Sequence, residues 1–141
     1  MKILLAADNS EFTRRAARHL VRHLKWFAQA PEVLVLHVHA PIPYPGAAAV
    51  AGKAAVEQYL REDSEKALRM ATKELDKAKI AYKASWTTGN AAREIGAAAK
   101  KHDVDLIVMG SHGEGALSNL VLGSVATKVI ATTRIPVLIV R

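Results

Sequence analysis

The residues with the clearest chemical potential lie in one stretch, MGSHGEGALSNLVLGSVATKVI, which runs from Met109 to Ile130. Its glycines are Gly110, Gly113, Gly115 and Gly123, and Ser124 follows the last of them. Glycine lets backbone N–H groups approach a ligand without an intervening Cβ, and a helix N-terminus offers unpaired N–H donors with a partial positive charge. A phosphate group suits both features, so the stretch indicates a phosphate site, with a simple turn as the alternative.

The sequence on either side of this stretch predicts the elements that position it. The apolar run VDLIVMG at 104–110 predicts a buried strand that ends at the first glycine. The segment GSVATKVIATT predicts a helix that begins at Gly123 and Ser124. The glycines therefore connect the carboxyl end of a strand to the first turn of a helix.

The rest of the chain also alternates between strand and helix. The predicted strands are 2–7, 32–40, 80–88, 104–110 and 135–141, and the predicted helices begin at Ser10, about Val50, Asn90 and Gly123. The second of these helices is predicted to end at Lys79. PIPYPG at 41–46 has three prolines and is predicted to be irregular. This alternation favours a single α/β domain, residues 1–141, with a mostly parallel sheet and helices on both faces.

Ligands of such folds bind beyond the carboxyl ends of the strands, at the point where the strand order reverses. The loops after the first, second and fourth predicted strands are therefore the important ones. They contain Asp8-Asn9-Ser10, the strand end Val38–Ala40 and the glycine stretch. Ser10 is also predicted to cap the first helix.

Composition and charge limit the classes of function. The 141 residues are 50% hydrophobic and include no cysteine, which excludes a disulfide framework and a cysteine zinc site. The net charge of +7 allows polyanion binding, but the basic residues form no single block and do not alternate with aromatics, so nucleic acid is not favoured. No apolar run approaches the roughly 20 residues that cross a bilayer and no export signal precedes Asp8, so we expect a cytoplasmic protein.

The spacing Gly110-x2-Gly113-x9-Gly123-Ser124 resembles the nucleotide-binding signature of the universal stress protein family. ILLAADNS resembles the first strand and turn of that family, VLVLHVH its second strand, DLIVMGSHG its fourth, and LGSVATKVI with PVLIVR its C-terminal end. The resemblance covers essentially the whole chain. It implies a doubly wound five-stranded parallel sheet of order 3-2-1-4-5, a homodimer, and an ATP site at the switch point, where Mg²⁺ could accompany the nucleotide.

The resemblance also implies which residues bind the nucleotide. By position, Asp8 would face the nucleoside and Val38 would pack near the adenine. Met109 and Gly110 would contact the ribose or phosphates, and the later glycines would hold the phosphates. The complete set is Ala6, Asp8, Val38, Met109, Gly110, Gly113, Gly123, Ser124 and Val125.

Two positions depart from the family pattern. The family often has glycine after the first aspartate, where this chain has Asn9. A basic residue commonly follows the second glycine of the motif, where this chain has Glu114. A carboxylate near a triphosphate is repulsive unless it points to solvent or meets a metal, so Glu114 would weaken ATP or favour the Mg²⁺-bound nucleotide.

The histidine pairs are better explained as ordinary structural side chains than as metal ligands. His19 and His23 are four residues apart on the first predicted helix, and solvated side chains are favoured over a metal pair. His37 and His39 share one face of the second strand, and buried, hydrogen-bonded side chains are favoured there. His112 could contact phosphate or lie in solvent. No metal ligand is assigned.

Three functional hypotheses remain open. The first is an ATP-binding stress-response regulatory protein, a conformational switch in which the nucleotide orders the loop Gly110–Val125. The second is a slow Mg²⁺-dependent ATPase that uses Asp8, and the third is a nucleotide-free interaction module of the same fold. The first is favoured because binding groups are present, whereas no G-x-x-x-x-G-K-[ST] loop and no Ser-His-Asp order is recognisable. No catalytic residue is assigned.

The last predicted strand indicates how the chain would associate. Ile135–Val140 carries no charge before Arg141, and the implied sheet order places this strand at an edge. A long apolar edge favours pairing with another strand. We therefore expect a homodimer in which this strand runs antiparallel to its mate, while any other protein partner stays unidentified.

Overall fold

The computed structural model describes residues 1–42, 52–115 and 121–141, and its five strands form one parallel sheet of order β3-β2-β1-β4-β5. In chain order the elements are β1 (Lys2–Ala7), α1 (Glu11–His23), a 3-10 turn (Leu24–Trp26), β2 (Glu32–His39), α2 (Lys53–Lys77), β3 (Tyr82–Thr88), α3 (Ala91–Lys101), β4 (Leu106–Gly110), α4 (Ser124–Thr132) and β5 (Val137–Val140). This confirms the fold class and the strand order expected from the resemblance.

The sheet separates two hydrophobic cores. Successive residues of β1 point to opposite faces, so Ile3 and Leu5 join the core under α1 and α2, while Leu4 joins the core under α3 and α4. All three are at most 2% exposed. This burial on both faces explains why β1 is a continuous apolar run rather than an alternating one.

The helices begin where the sequence indicates that they should. Ser10 Oγ accepts a hydrogen bond from the Thr13 amide at 3.2 Å, and Asn90 Oδ1 accepts one from the Arg93 amide at 3.2 Å. Gly123 occupies the same position for α4 and has no side chain with which to cap it. Both predicted caps are thus confirmed, and α4 differs from the other two helices at its first turn.

Several predicted bounds shift by one or two residues. The second helix ends at Lys77 rather than Lys79, because Lys79 adopts a left-handed φ of 56° in the turn that follows. The strand after it accordingly begins at Tyr82 rather than residue 80. The 3-10 turn after α1 was not predicted. Most of PIPYPG and the predicted start of the second helix lie outside the described residues.

Within the described ranges, no helix combines the length and apolar character needed to cross a membrane.

Candidate functional site

A cavity of about 540 Å³ opens at the carboxyl ends of β1, β2 and β4. The chain leaves β1 toward β2 and β3 on one side of the sheet order, and later returns to β4 and β5 on the other. Loops that depart in opposite directions leave a crevice between β1 and β4, which is where ligands of doubly wound folds bind. The cavity therefore occupies the place that the predicted topology assigns to a ligand.

All nine residues that the sequence analysis assigned to nucleotide binding line this cavity. They come from three separate parts of the chain and are brought together by the adjacency of β1, β2 and β4. β1 and the turn after it contribute Ala6 and Asp8, β2 contributes Val38, and the remainder come from β4, the glycine loop and α4.

One wall of the cavity is apolar. Its members lie on the sheet and on the two helices that cover this face: Ala6, Leu36, Val38, Ile95, Met109 and Val125. Leu36, Ile95 and Met109 are between 4% and 6% exposed, so they form a closed surface. Such a wall suits a flat apolar group that displaces water from it.

The N-terminus of α4 also lines the cavity. Gly123, the residue before the helix, has an extended backbone, and its N–H donates to the Ser111 carbonyl at 2.8 Å. Its own carbonyl accepts from the Thr127 amide at 3.0 Å. Because glycine supplies no capping oxygen, the first N–H groups of α4 receive none from the cap residue. Donors with a partial positive charge thus lie at the cavity beside the exposed Ser124.

Asp8 connects the turn after β1 to the glycine loop. Its Oδ1 accepts from the Ser10 amide at 3.1 Å, from Ser10 Oγ at 2.5 Å and from Thr13 Oγ1 at 2.6 Å. Its Oδ2 accepts from the Glu114 amide at 3.2 Å. The Asp8 carboxylate therefore holds the start of α1 and the glycine loop in one arrangement, and much of its accepting capacity is already used.

Two glycines of the loop are required by packing as well as by any ligand. A Cβ on Gly110 would lie 2.6 Å from Phe12 Cβ and 2.9 Å from the Phe12 carbonyl carbon. A Cβ on Gly113 would lie 2.7 Å from Asp8 Oδ2. The glycine spacing thus serves close approach between the β4 loop and the start of α1, and sequence reasoning missed Phe12 as the neighbour that demands it.

A second polar group lies at the end of β2. His37 is 7% exposed, and its Nδ1–H donates to the Ala7 carbonyl at 2.9 Å. His39 lies 3.3 Å from Asp63 of α2 through Nε2, and its Nδ1 is 2.6 Å from the Ala40 carbonyl. The prediction of a buried, hydrogen-bonded histidine is confirmed for His37, whereas His39 is hydrogen-bonded but only half-buried. Asp63 was not predicted, because nothing in the sequence relates a mid-helix aspartate to a strand end.

The loop residues His112 and Glu114 lie at the rim. Ser111 Oγ is 3.0 Å from His112 Nδ1, and the His112 ring is 5.1 Å from that of Phe12. The Glu114 side chain is exposed, while its backbone amide is bonded to Asp8. Both residues line the cavity, so either could touch a bound phosphate.

The histidine pair on α1 lies apart from this cavity. The rings of His19 and His23 are 4.1 Å apart, and His23 Nδ1 is bonded to the His19 carbonyl at 2.7 Å. Partial burial lowers the pKa of His19, and His23 and Arg22 lower it further. Across residues 1–42, 52–115 and 121–141, no three His, Cys, Asp or Glu side chains group as metal ligands would.

Comparison with known proteins gives consistent matches over the full length of the chain. The family model described as "Universal stress protein family" matches residues 1–141. Universal stress protein MJ0531 of Methanocaldococcus jannaschii is 32% identical over 140 residues, which cover 99% of this chain and 81% of that protein. The structure of protein MJ0577 superimposes with a TM-score of 0.82 at 31% identity, covering 99% of this chain and 94% of that one.

Two more distant structures share the fold and were solved with adenine nucleotides. A universal stress protein in complex with cAMP has a TM-score of 0.70 at 20% identity, covering 100% of this chain and 97% of that one. The universal stress protein from Archaeoglobus fulgidus in complex with dAMP has a TM-score of 0.67 at 18% identity, covering 100% and 98%.

Proposed function

Since the chain belongs to the universal stress protein family, we propose that it is a stress-response regulatory protein that binds an adenine nucleotide, ATP by the glycine signature, in the cavity at the ends of β1, β2 and β4. The nucleotide phosphates lie at the N-terminus of α4 and the base lies against the apolar wall. Occupancy of the cavity acts as a conformational switch of the loop Gly110–Val125.

The observation that carries this proposal is the uncapped N-terminus of α4 at one end of the cavity. Unpaired backbone donors and the helix dipole at Gly123 and Ser124 favour an anionic group there. The apolar wall of the same cavity suits a purine ring. That combination fits a nucleotide better than it fits a purely apolar or a purely ionic ligand.

The bound ligands of the distant relatives support the adenine assignment. One relative was solved with cAMP and another with dAMP. Since this chain shares their fold and keeps the glycine spacing, adenine is the base that the proposal names.

The loop is connected to the edge of the sheet. The Ser111 amide donates to the Val140 carbonyl at 2.7 Å, and the Ser111 carbonyl accepts from the Gly123 amide. A nucleotide that contacts Gly113 and Gly123 therefore touches a segment bonded to the end of β5. This connection is the route by which binding would alter a surface available to a partner.

The hydrolytic alternative receives less support from the geometry. Asp8, the residue that would hold a metal or a water, already accepts four hydrogen bonds from protein groups. A carboxylate whose oxygens already accept these hydrogen bonds is suited to positioning the loop rather than to acting as a general base. The nucleotide-free alternative has the packing role of Gly110 in its favour, and a direct binding experiment separates it from the proposal.

The test places a negative charge where the phosphates would lie. Ser124→Glu introduces a carboxylate at the first position of α4, where it favours the helix but competes with a phosphate. We expect calorimetric titration with Mg²⁺-ATP to show affinity lowered about tenfold or more. Ala131→Glu is the matched control, because it adds the same charge to an exposed site about 10 Å further along α4. Equal affinities in both variants, or no binding to the unmodified protein, would contradict the proposal.

We also propose that the protein is a homodimer that pairs through β5. Among the described strands, β5 lies at the edge of the sheet and pairs with β4 alone. Its four residues, Val137–Val140, are apolar and only half-buried. An apolar edge of this kind favours pairing with a second copy.

A further inference from the structure

The charged side chains around the cavity are mostly of one sign. Three carboxylates line it, those of Asp8, Asp63 and Glu114. No lysine or arginine lines it among the described residues. The two segments outside the description, 43–51 and 116–120, contain no lysine or arginine in the sequence either. The lysines and arginines that give the whole chain its net positive charge therefore lie outside this site.

Three histidines line the cavity, and each is held by a neighbouring protein group. His112 Nδ1 lies 3.0 Å from Ser111 Oγ. The His37 Nδ1–H donates to Ala7, and its Nε2 is buried with no hydrogen-bond partner among the described residues. Any charge on His39 is matched by the carboxylate of Asp63, 3.3 Å away.

Besides these histidines, the N-terminus of α4 is the positive feature of the cavity among the described residues, and it is equivalent to about half an elementary charge. A phosphate monoester carries about 1.5 to 2 negative charges near pH 7, and a free triphosphate carries about twice as many. Basic residues elsewhere on the surface contribute little, because salt screens charges beyond about 8 Å. The cavity is thus matched to a weakly charged anion and poorly matched to a strongly charged one.

We infer that the cavity selects its nucleotide by charge: it accepts an adenine mononucleotide, or a triphosphate already neutralised by a divalent cation, and disfavours the free triphosphate. This inference rests on the proposed function, since it concerns the ligand of the same cavity. The nucleotides named for the two distant complexes, cAMP and dAMP, both contain a single phosphate.

Glu114 is the residue on which this selection depends most. Asp8 uses its Oδ1 for three protein donors, and Asp63 is paired with His39, so both carboxylates are already partly compensated. The amide of Glu114 is tied to Asp8 Oδ2, and Glu114 lines the cavity next to Gly113, where the proposal places the phosphates. Its exposed carboxylate is therefore the charge that a long phosphate chain would meet.

The experiment compares AMP and ATP by calorimetric titration, in EDTA and in excess Mg²⁺. In EDTA we expect AMP to bind the unmodified protein about tenfold more tightly than ATP, and Mg²⁺ to restore ATP to within about threefold of AMP. In EDTA, Glu114→Gln should lower the ratio of AMP affinity to ATP affinity by about threefold or more. Glu32→Gln is the control, because it removes the same charge at the opposite end of the sheet, where Glu32 pairs with Lys83 at 2.8 Å. This variant should leave the ratio of AMP affinity to ATP affinity unchanged.

The outcomes separate this inference from the proposal beneath it. Free ATP that binds in EDTA as tightly as AMP, or more tightly, would overturn the inference while leaving nucleotide binding intact. A Glu114→Gln variant with an unchanged AMP-to-ATP ratio would remove Glu114 as the selecting residue. Failure of every nucleotide to bind, with or without Mg²⁺, would overturn the proposed function and the inference together.

Discussion

Asp8 is the residue whose replacement tests how the loop is held. Asparagine keeps one accepting oxygen but places an NH₂ group where the other carboxylate oxygen accepts a bond, so the Ser10 and Thr13 donors or the Glu114 amide lose their partner. We expect Asp8→Asn to lower the free energy of unfolding by about 1–3 kcal/mol, measured by urea titration. The control is Asp76→Asn, which can retain the single bond from Tyr82 and should change stability by less than about 0.5 kcal/mol.

Gly110 gives a second prediction at the residue scale. An alanine methyl group at this position would overlap the backbone of Phe12, which cannot easily move because α1 begins there. We expect Gly110→Ala to lower the free energy of unfolding by about 1–3 kcal/mol.

Gly96 is the matched control for this substitution. It lies inside α3 with open space around its missing Cβ, so Gly96→Ala should raise the free energy of unfolding by about 0.5–1 kcal/mol. Similar urea midpoints for the two variants would show that Gly110 is not required by packing.

Individual residues were predictable from the sequence where local chemistry determines them. Ser10 and Asn90 cap their helices because a side-chain oxygen at that position bonds the backbone three residues on. Phe12 and Asp63 escaped prediction because their importance depends on long-range packing. Phe12 matters only once β4 lies beside the start of α1, and Asp63 only once α2 lies over the end of β2.

At the scale of elements, an ion pair joins α1 to α2. Arg18 Nε lies 3.1 Å from Glu74 Oε2, and Lys77 lies 3.5 Å from the other oxygen. The hydrogen bond from Arg18 holds the pKa of the Glu74 carboxyl below its ordinary value of 4.5, against the opposing effect of burial. The folded protein therefore favours the ionised form more strongly than the unfolded chain does.

This pair leads to a pH prediction. Its stabilisation is fully present above pH 4.5 and is lost as the pH falls through the lower pKa of the folded state. We expect Glu74→Gln to lower the free energy of unfolding by about 1–2 kcal/mol at pH 7, an amount moderated by the partial exposure of Arg18. The difference from the unmodified protein should diminish under strong acid, as measured by urea titration at several pH values.

Glu65→Gln controls for the loss of a charge on α2. It removes only the exposed contact with Arg69 at 3.7 Å and should change stability by less than about 0.5 kcal/mol. A Glu74→Gln effect that is the same at every pH would mean that packing, rather than ionisation, accounts for the loss.

The succession of elements followed from the sequence more closely than their bounds did. Short apolar runs such as VDLIVMG indicate a strand because a strand buried on both faces of a parallel sheet has apolar side chains at successive positions. The first residues of these runs are less constrained: Val104 is buried, yet β4 begins at Leu106. The left-handed backbone of Lys79 accompanies the earlier end of α2 and the later start of β3, and no residue pattern in the sequence predicts that conformation.

At the scale of the whole molecule, the proposed dimer is open to direct test. Sedimentation velocity of the unmodified protein at micromolar concentration should show a dimer. Leu138→Lys and Val137→Lys introduce a charge on opposite faces of β5, and at least one should shift the protein to a monomer that keeps its circular dichroism spectrum. Because both side chains also pack against the cores, the spectrum is needed to exclude unfolding.

The opposite edge of the sheet provides the control for dimerisation. Ser85 is an exposed residue of β3, the other edge strand. Ser85→Lys should leave the sedimentation coefficient unchanged if β5 alone mediates pairing. A monomeric unmodified protein would contradict the proposed dimer outright.

The bond from the Ser111 amide to the Val140 carbonyl places the glycine loop and the last residue of β5 in direct contact. If the nucleotide binds at this loop and β5 mediates the proposed dimer, binding and association share one strand end, and they are thermodynamically linked to the extent that each changes the affinity of the other. If the dimer binds the nucleotide more tightly than the monomer by some factor, then the nucleotide-bound protein must dimerise more tightly than the empty protein by the same factor. Dilution would then change the nucleotide affinity of the cavity by dissociating the dimer. The cellular concentration of the protein would therefore help to set its response to nucleotide.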